Sequence, residues 1–553
     1  MNLAELSQKS PSEEEVYQAL RRSLQRRKGF GLVFVQCSPA TATRLIARVK
    51  SDISQKKIAV LSLTEEIDNL YNLVEARPDK DELNILIIQG LEKSLEPYIT
   101  PGYGGEGDYY TLSNLPPILG HLNQRRDGFL DRFPRLCFVF VLPLFAIKYL
   151  IQRSPDFFDW GGGIFEIPSN SELIEQESLR IVQEADYNEY LNWTQPERDR
   201  KIAEIQCWIG EPNQTSERKA QLFFKQGNLF YASDVYEAAI SSYDQAIEYE
   251  PGLPEAWFMR GIALGNLERY EEAIASYDQA LKHKPDSDTV WYNRGIAFGN
   301  LERYEEAIIS YDHALKVSPD DDSTWHKRGL AFANLGKYHE EIDSYNQALA
   351  INPNNSSALN SRGYALFELD RCQEAIADFD QAIRLNPNSD TSWSNRGATC
   401  SRLKRFDEAF ASFEQALRLN PKNNNVWYDQ GCALSKLKRY EEAINSYDRA
   451  LDIKPKDYQA WCNRGTALFY LQRHEEAIAS FDQALRYKPD DHEALHNKAC
   501  CYALQGQAEL AIVTLKQAID LDPKYREMAK TDADFDRIRG DDRFQALIQE
   551  QVE

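Results

Sequence analysis

An arginine returns at one fixed interval through much of this 553-residue chain: Arg260, Arg294, Arg328, Arg362, Arg396 and, after one gap, Arg464. A guanidinium carries five donors in a fixed fork that fits carboxylates and phosphates. Six in register could form a stripe for an acidic ligand. The same period also supplies partners, because Asp278, Asp312, Asn346, Asp380, Glu414 and Asp482 follow them at a constant offset. Internal pairs between neighbouring helices, each arginine with the acid of its own unit, are therefore the expected use of the stripe. In the last unit both positions are lysine, Lys498 and Lys516, so the two ends change together.

No catalytic constellation accompanies the arginines. The histidines are few and unpaired in sequence, which gives neither a triad nor a metal site, and no cofactor is expected. Nine cysteines are scattered without a CxxC, and Cys500-Cys501 fall in a helical stretch. They read as reduced, buried, small apolar residues. The net charge is -22, with -7 up to residue 216 and -15 beyond it. Acidity in both parts argues against a nucleic-acid partner. The first residues lack an apolar signal core. The most apolar run, Cys137–Ile151, is too short for a bilayer and is broken by Pro143 and Lys148. A cytoplasmic protein with no membrane partner is expected.

The elements that position these residues are set by nine evenly spaced prolines: Pro251, Pro285, Pro319, Pro353, Pro387, Pro421, Pro455, Pro489 and Pro523. With the proline as position 32, the units start at Ala220, Pro254, Asp288, Asp322, Ser356, Asp390, Asn424, Tyr458 and His492. Position 8 is glycine in eight units and Ala499 in the ninth; position 24 is Tyr or Phe until Leu515; position 27 is always alanine. Position 4 is mostly tryptophan. Small residues at 8, 20 and 27 let paired helices approach, and large ones at 4 and 24 fill the space between them. Trp→Ala at such a site should cost ~3–5 kcal/mol. Proline at 32 cannot continue the second helix. Position 20 breaks the rule once, as Glu341, which predicts a looser fourth unit.

This pattern closely resembles the tetratricopeptide repeat, over about 300 residues. The resemblance implies helix–turn–helix units stacked into an all-α, right-handed superhelical solenoid. It also implies a concave wall lined by the first helices, chiefly at positions 2, 5, 6, 9, 12 and 13. Position 5 then offers Phe258, Tyr292 and Tyr428; position 9 offers Ile262, Ile296, Leu330 and Tyr364. Asn293, Asn395 and Asn463 recur at position 6, and Asn300 and Asn334 at position 13. Such a wall suits an extended or helical apolar segment of a partner protein. Family members that grip a C-terminal carboxylate use lysine at position 5 and asparagine at 9; only Asn228 matches, so that ligand class is rejected.

The remainder divides differently. Gly31–Cys37, Lys57–Leu63, Leu83–Ile88 and Leu136–Leu142 read as buried strands, with a fifth at Gly163–Ile167. Helices are expected at Thr41–Asp52, Glu65–Glu75 and Leu115–Arg132, and near Phe145–Arg153, which makes an α/β domain with a parallel sheet. The order resembles a P-loop ATPase core of the AAA or signal-transduction kind. Gln36-Cys37-Ser38-Pro39-Ala40-Thr41-Ala42-Thr43-Arg44 stands where that family has GxxxxGK[ST], without its glycines or lysine. Strand three ends in Gln89-Gly90-Leu91-Glu92 rather than a magnesium-binding aspartate. The resemblance thus implies a degenerate copy with no cradle for phosphate. The basic run Arg21–Lys28 reads as a solvated helix face. The Gly/Tyr-rich loop Glu96–Leu112 offers a mobile or partner-facing segment, and Phe157–Trp160 reads as core.

The expected organisation is multidomain: residues 1–168 the ATPase-like α/β domain, 169–216 a linker of two helices, 217–525 nine repeats, and 526–553 a polar helical cap. The expected function is a protein–protein interaction scaffold, not an enzyme. The alternative is a nucleotide-responsive signalling or defence switch worked by the N-terminal domain.

Overall fold

The computed structural model describes residues 11–95, 116–143, 146–147, 150–151, 154–159, 161–168, 171–209 and 214–549. The loop 96–112, Trp160 and much of the segment 145–153 lie outside them. The chain forms two compact units, 1–301 and 302–553, and the division falls between the two helices of the third repeat.

Five strands, β1 (Gly31–Gln36), β2 (Ile58–Ser62), β3 (Ile85–Gln89), β4 (Cys137–Leu142) and β5 (Gly161–Glu166), form one parallel sheet in the order β2-β3-β4-β1-β5. The near-continuous apolar sequence of the inner strands β1, β3 and β4 follows from burial on both faces. On one face Leu32, Phe34, Leu86, Ile88, Phe138 and Phe140 share a core with Phe129 and Phe157. On the other, Val33, Val35, Ile85, Ile87, Val139 and Val141 pack on two helices, α1 (Glu13–Arg26) and α2 (Pro39–Asp52). Helix α1 buries Val16, Tyr17, Leu20 and Leu24 and leaves Arg22 and Arg26 exposed, while Arg21, one turn from Tyr17, is half-buried. Phe157 and Phe158 are core: Phe157 meets Phe140 at 5.7 Å and Phe158 meets Phe34 at 4.7 Å.

Several expected elements are shorter or divided. The helix expected at Glu65–Glu75 begins at Leu70, because Asn69 caps it by accepting from the Asn72 N–H. The one expected at Leu115–Arg132 is two helices, Pro117–Gln124 and Arg126–Arg132, since Arg125 leaves helical geometry between them. The linker expected to hold two helices contains three: Ser171–Gln183, Tyr187–Leu191 and Gln195–Ile209. Asp186 makes the extra one by accepting from the Asn188 and Glu189 N–H groups.

Beyond residue 215 the chain is a run of helix pairs with the period of the prolines, Ser216–Ala232 with Tyr236–Tyr249 through His492–Leu504 with Ala508–Leu521. This is the architecture of a tetratricopeptide solenoid. The close approach expected at position 8 is present: a Cβ added to Gly261 would lie 2.4 Å from the Tyr277 ring, and one on Gly397 2.6 Å from Phe413. Each tryptophan at position 4 also has a polar task. Trp257, Trp325, Trp393, Trp427 and Trp461 donate through Nε1 to the carbonyls of Pro251, Pro319, Pro387, Pro421 and Pro455 at 2.9–3.1 Å. The tryptophan of one repeat thus reads the end of the preceding one.

After Pro523 come Lys524–Thr531, a 3-10 helix Ala533–Ile538 and Asp542–Gln549. This segment is less polar in its packing than its sequence implies. Phe535, Ile538, Phe544, Leu547 and Ile548 are all buried against Leu495, Leu515 and Ile519 of the ninth repeat.

Candidate partner-binding wall

From the fourth repeat on, each first helix is fixed at its start by the residue just before it, whereas Leu253 and Ser287 make no side-chain cap in the second and third. Asp321, Asn355, Ser389, Asn423, Asp457 and Asp491 accept from N–H groups of the first turn. With the start fixed, side chains at positions 5, 9 and 13 follow one another along one helix face. Position 8 faces the second helix instead, against the ring at position 24.

In residues 1–301 this face presents Phe258, Ile262, Tyr292, Asn293 and Ile296, all half-buried, and Asn300, which is exposed. In residues 302–553 it presents Leu330, Asn395, Tyr428 and Asn463, half-buried, with Asn334 exposed and Tyr364 47% exposed. None of the twelve is fully buried, in contrast to the alanines and leucines at positions 10 and 11 beside them.

The asparagines divide by what they already hold. Asn293 and Asn334 donate to the Thr289 and Leu330 carbonyls of their own helices. Asn395 donates instead to Asn360 Oδ1 at 3.2 Å, and Asn463 to the Tyr428 hydroxyl at 2.9 Å, each reaching the preceding repeat. The carbonyl oxygens of these amides add acceptors to a wall otherwise apolar and aromatic.

One acidic group of the wall, Asp429, escaped the sequence reading, and a second, Glu341, was singled out there as the exception at position 20. Asp429 takes position 6, where four other repeats have asparagine, and burial pushes its carboxyl up to about 6. Glu341 is buried, with Oε2 lacking a hydrogen-bond partner. Burial raises its carboxyl to about 7, opposed by the neighbouring Tyr345 hydroxyl and aided by the charge of Glu368. Two more polar atoms of the fourth repeat, His326 Nε2 and the Tyr345 hydroxyl, are buried without a partner. These unpartnered groups lie in the repeat that the glutamate at position 20 marks as the looser one.

The arginines are occupied, but in a different register from the expected one. All but Arg362 reach back to the acid of the preceding repeat, not forward to the acid at position 25 of their own. Arg260 meets Asp244 at 2.6 Å, Arg294 meets Asp278 at 2.8 Å and Arg328 meets Asp312 at 2.7 Å; Arg396 meets Asp380 and Arg464 meets Asp448, both at 2.6 Å. Nη1 of Arg260, Arg328, Arg396 and Arg464 also donates to a serine at position 23 of its own repeat, at 2.6–2.7 Å. The fifth repeat inverts the arrangement. The preceding position 25 is Asn346, position 23 is Asp378, and Arg362 binds Asp378 bidentately at 2.6 and 2.7 Å while donating to Asn346. The charge has moved from one side of the guanidinium to the other. The lysines of the last repeat do not form a matched change either: Lys498 pairs with Asp482 at 2.6 Å, and Lys516 stands where no further repeat follows.

In the N-terminal sheet, β1 runs into α2 through a capped turn. Ser38 caps α2 by accepting from the Thr41 N–H, Pro39 removes a first-turn donor, and Ser38 and Thr41 are both buried. Eight free cysteines are described, seven of them buried. Among the described residues, no helix is long and apolar enough to cross a membrane.

Family models described as tetratricopeptide repeat match residues 224–288, 258–322, 292–356, 354–422, 388–456, 458–491 and 492–525. No curated protein matches the chain. Among solved structures, YrrB, a TPR protein with an unusual peptide-binding site, is 25% identical over 34% of this chain and 98% of its own, with a TM-score of 0.32. PilF of Pseudomonas aeruginosa is 22% identical over 37% and 94%, with a TM-score of 0.34. The C-terminal part of a TPR repeat-containing protein from Cytophaga hutchinsonii is 18% identical over 43% and 98%, with a TM-score of 0.38.

Proposed function

Because the chain belongs to the tetratricopeptide-repeat family, we propose that it is an interaction scaffold that holds a segment of a partner protein on its first-helix wall. The observation that carries this reading is the partial exposure of Phe258, Ile262, Tyr292 and Ile296 in residues 1–301, and of Leu330, Tyr364 and Tyr428 in residues 302–553, at equivalent positions of their first helices and interleaved with amides. Apolar and aromatic side chains left half in water are the usual anchors of a peptide interface. Asn293 and Asn334, tied to their own helices, keep their carbonyl oxygens for a peptide N–H, and Asn300 is exposed. The arginines take no part, since carboxylates already neutralise them and, in four repeats, a serine accepts a further N–H.

The N-terminal sheet serves this reading as a second, non-catalytic contact module. Its parallel strand order supports a P-loop ATPase-like ancestry, and the capped, buried start of α2 supports the loss of phosphate binding. The scaffold is accordingly assigned no catalytic step and no nucleotide. A domain division at 168 and 216 is part of the proposal.

Affinity capture with the full chain tests it. Ile262→Glu with Leu330→Glu should abolish capture of the partner, whereas Ile309→Ser, a 53%-exposed change on a second helix, should leave it intact. Capture indifferent to the wall substitutions overturns the reading. A clear rise of the thermal midpoint with ATP and magnesium would replace it by a nucleotide-responsive switch.

A further inference from the structure

The junction between the ninth repeat and the segment after Pro523 gathers side chains that the wall does not use. His496 and Cys500 lie one turn apart on the helix His492–Leu504, so both project from the same face. Asp532 stands between Lys524–Thr531 and the 3-10 helix, where its Oδ1 accepts from the Asp534 N–H at 3.0 Å. Its Oδ2 is turned to the other two side chains, 3.8 Å from His496 Nε2 and 4.0 Å from Cys500 Sγ. The sulfur is 3.9 Å from His496 Nε2.

The nitrogen–oxygen separation is too long for a normal hydrogen bond. The three atoms are instead spaced almost as ligands of one ion. Zinc–sulfur bonds of about 2.3 Å and bonds to nitrogen and oxygen of about 2.0–2.2 Å separate tetrahedral neighbours by about 3.4–3.6 Å. Each edge here exceeds that by a few tenths of an ångström. His496 and Cys500 are buried, while the Asp532 side chain is 25% exposed and leaves an approach from solvent. Asp534 also adjoins Cys500 and offers a fourth oxygen. Near Asp534, His474 keeps a buried Nδ1 without a hydrogen-bond partner.

We propose that His496, Cys500 and Asp532 form a divalent-metal site of the zinc type, completed by Asp534 or a water. A thiolate, an imidazole and a carboxylate together suit zinc better than the all-oxygen sets of magnesium or calcium. Loading transfers the thiol proton to solvent; the two positive charges then meet a thiolate and a carboxylate, with the imidazole neutral. One movement is required. The sulfur is 3.9 Å from both ring nitrogens, and the ring stacks on Tyr525 at 4.7 Å, so the imidazole turns to aim Nε2 at the ion. The bound metal would clip the capping segment to the ninth repeat.

Cobalt(II) titration of the full chain, kept reduced, tests this directly. One equivalent should give a near-ultraviolet thiolate-to-cobalt charge-transfer band with visible ligand-field bands, all displaced by zinc. Cys500→Ser should abolish the charge-transfer band, and Cys432→Ser should leave it. Asp532→Asn, which keeps an equally good helix cap, should weaken cobalt binding by at least ~10-fold. Absence of the band in the native chain, or its persistence in Cys500→Ser, overturns the proposal. Should Cys500→Ser fail to fold, unchanged cobalt affinity in Asp532→Asn overturns it equally.

Discussion

At the residue scale, the register of the arginine pairs makes a sharp prediction. At position 25 Arg396 has two candidate acids, Asp380 in the preceding repeat and Glu414 in its own; the structure joins it to Asp380 at 2.6 Å, with Glu408 farther off at 3.7 Å, and Glu414 pairs with Arg418. A double-mutant cycle on Arg396 and Asp380 should therefore show coupling of about 0.5–1 kcal/mol, modest because the carboxylate is partly in water. The cycle on Arg396 and Glu414 should show none. Coupling to Glu414 alone would contradict the observed register. Glu341 makes a second prediction, through pH. Its carboxyl is raised from 4.5 to about 7 by burial, so the folded state binds a proton more tightly than the unfolded one. Its stabilising proton is fully present below the unfolded value and is lost as pH rises through about 7. Glu341→Ala should remove that loss and stabilise the fourth repeat at pH 8 by on the order of 2 kcal/mol. Hydrogen exchange in Tyr338–Ile351 checks it: protection should fall from pH 5.5 to 8 in the native chain, after correction for intrinsic rates, and stay level in the variant.

At the element scale, the turn inside each repeat carries a backbone cost that only two repeats avoid. Position 15 is left-handed throughout the described turns: Asp234, Glu268, Glu302, Asp370, Lys404, Lys438 and Gln472 have φ of 58–60°, while the fourth and ninth repeats use Gly336 and Gly506. A residue with a Cβ pays roughly 1 kcal/mol in that region. Lys404→Gly should therefore raise the thermal midpoint slightly, and Gly336→Lys should lower it; the opposite order in a melting experiment would refute the account. This turn shows what the sequence could and could not disclose. The period, the helix pairs and the glycine–aromatic contact were legible, because nine copies repeat each requirement. The parallel strands were legible as apolar runs bounded by breakers. Pair registers were not, since an acid in the preceding repeat and one in the same repeat are equally good partners when the period is strict; only Asn346 and Asp378, exchanged across Arg362, carried the answer. The short helix after Asp186 was hidden because one side-chain cap decides it. The wall's residues were placed by position, but the carboxyls of Asp429 and Glu341 acquire their character only from burial that folding creates.

At the scale of the whole molecule, a stack of repeats buries each unit against its neighbours, so an uncovered end exposes what every interior unit hides. The segment after Pro523 meets that need with apolar contacts. Phe535 and Phe544 stack at 5.5 Å, both without solvent exposure, over the buried Leu515 and Ile519 of the last repeat. Phe544→Ala should cost ~3–5 kcal/mol locally. Stability in such an array is nearest-neighbour, so the loss should fall on the ninth repeat and fade towards the fifth rather than lower the whole melt evenly. Peptide-resolved hydrogen exchange distinguishes these outcomes: faster exchange confined to residues beyond about His492, with Cys372–Leu385 of the fifth repeat unchanged, is expected. Light scattering should rise with protein concentration as the bared Leu515 and Ile519 face find one another. Uniform loss of protection from Asp322 onwards would mean that residues 302–553 unfold as one cooperative body, and the segment after Pro523 would then be part of a common core rather than a cover for one end.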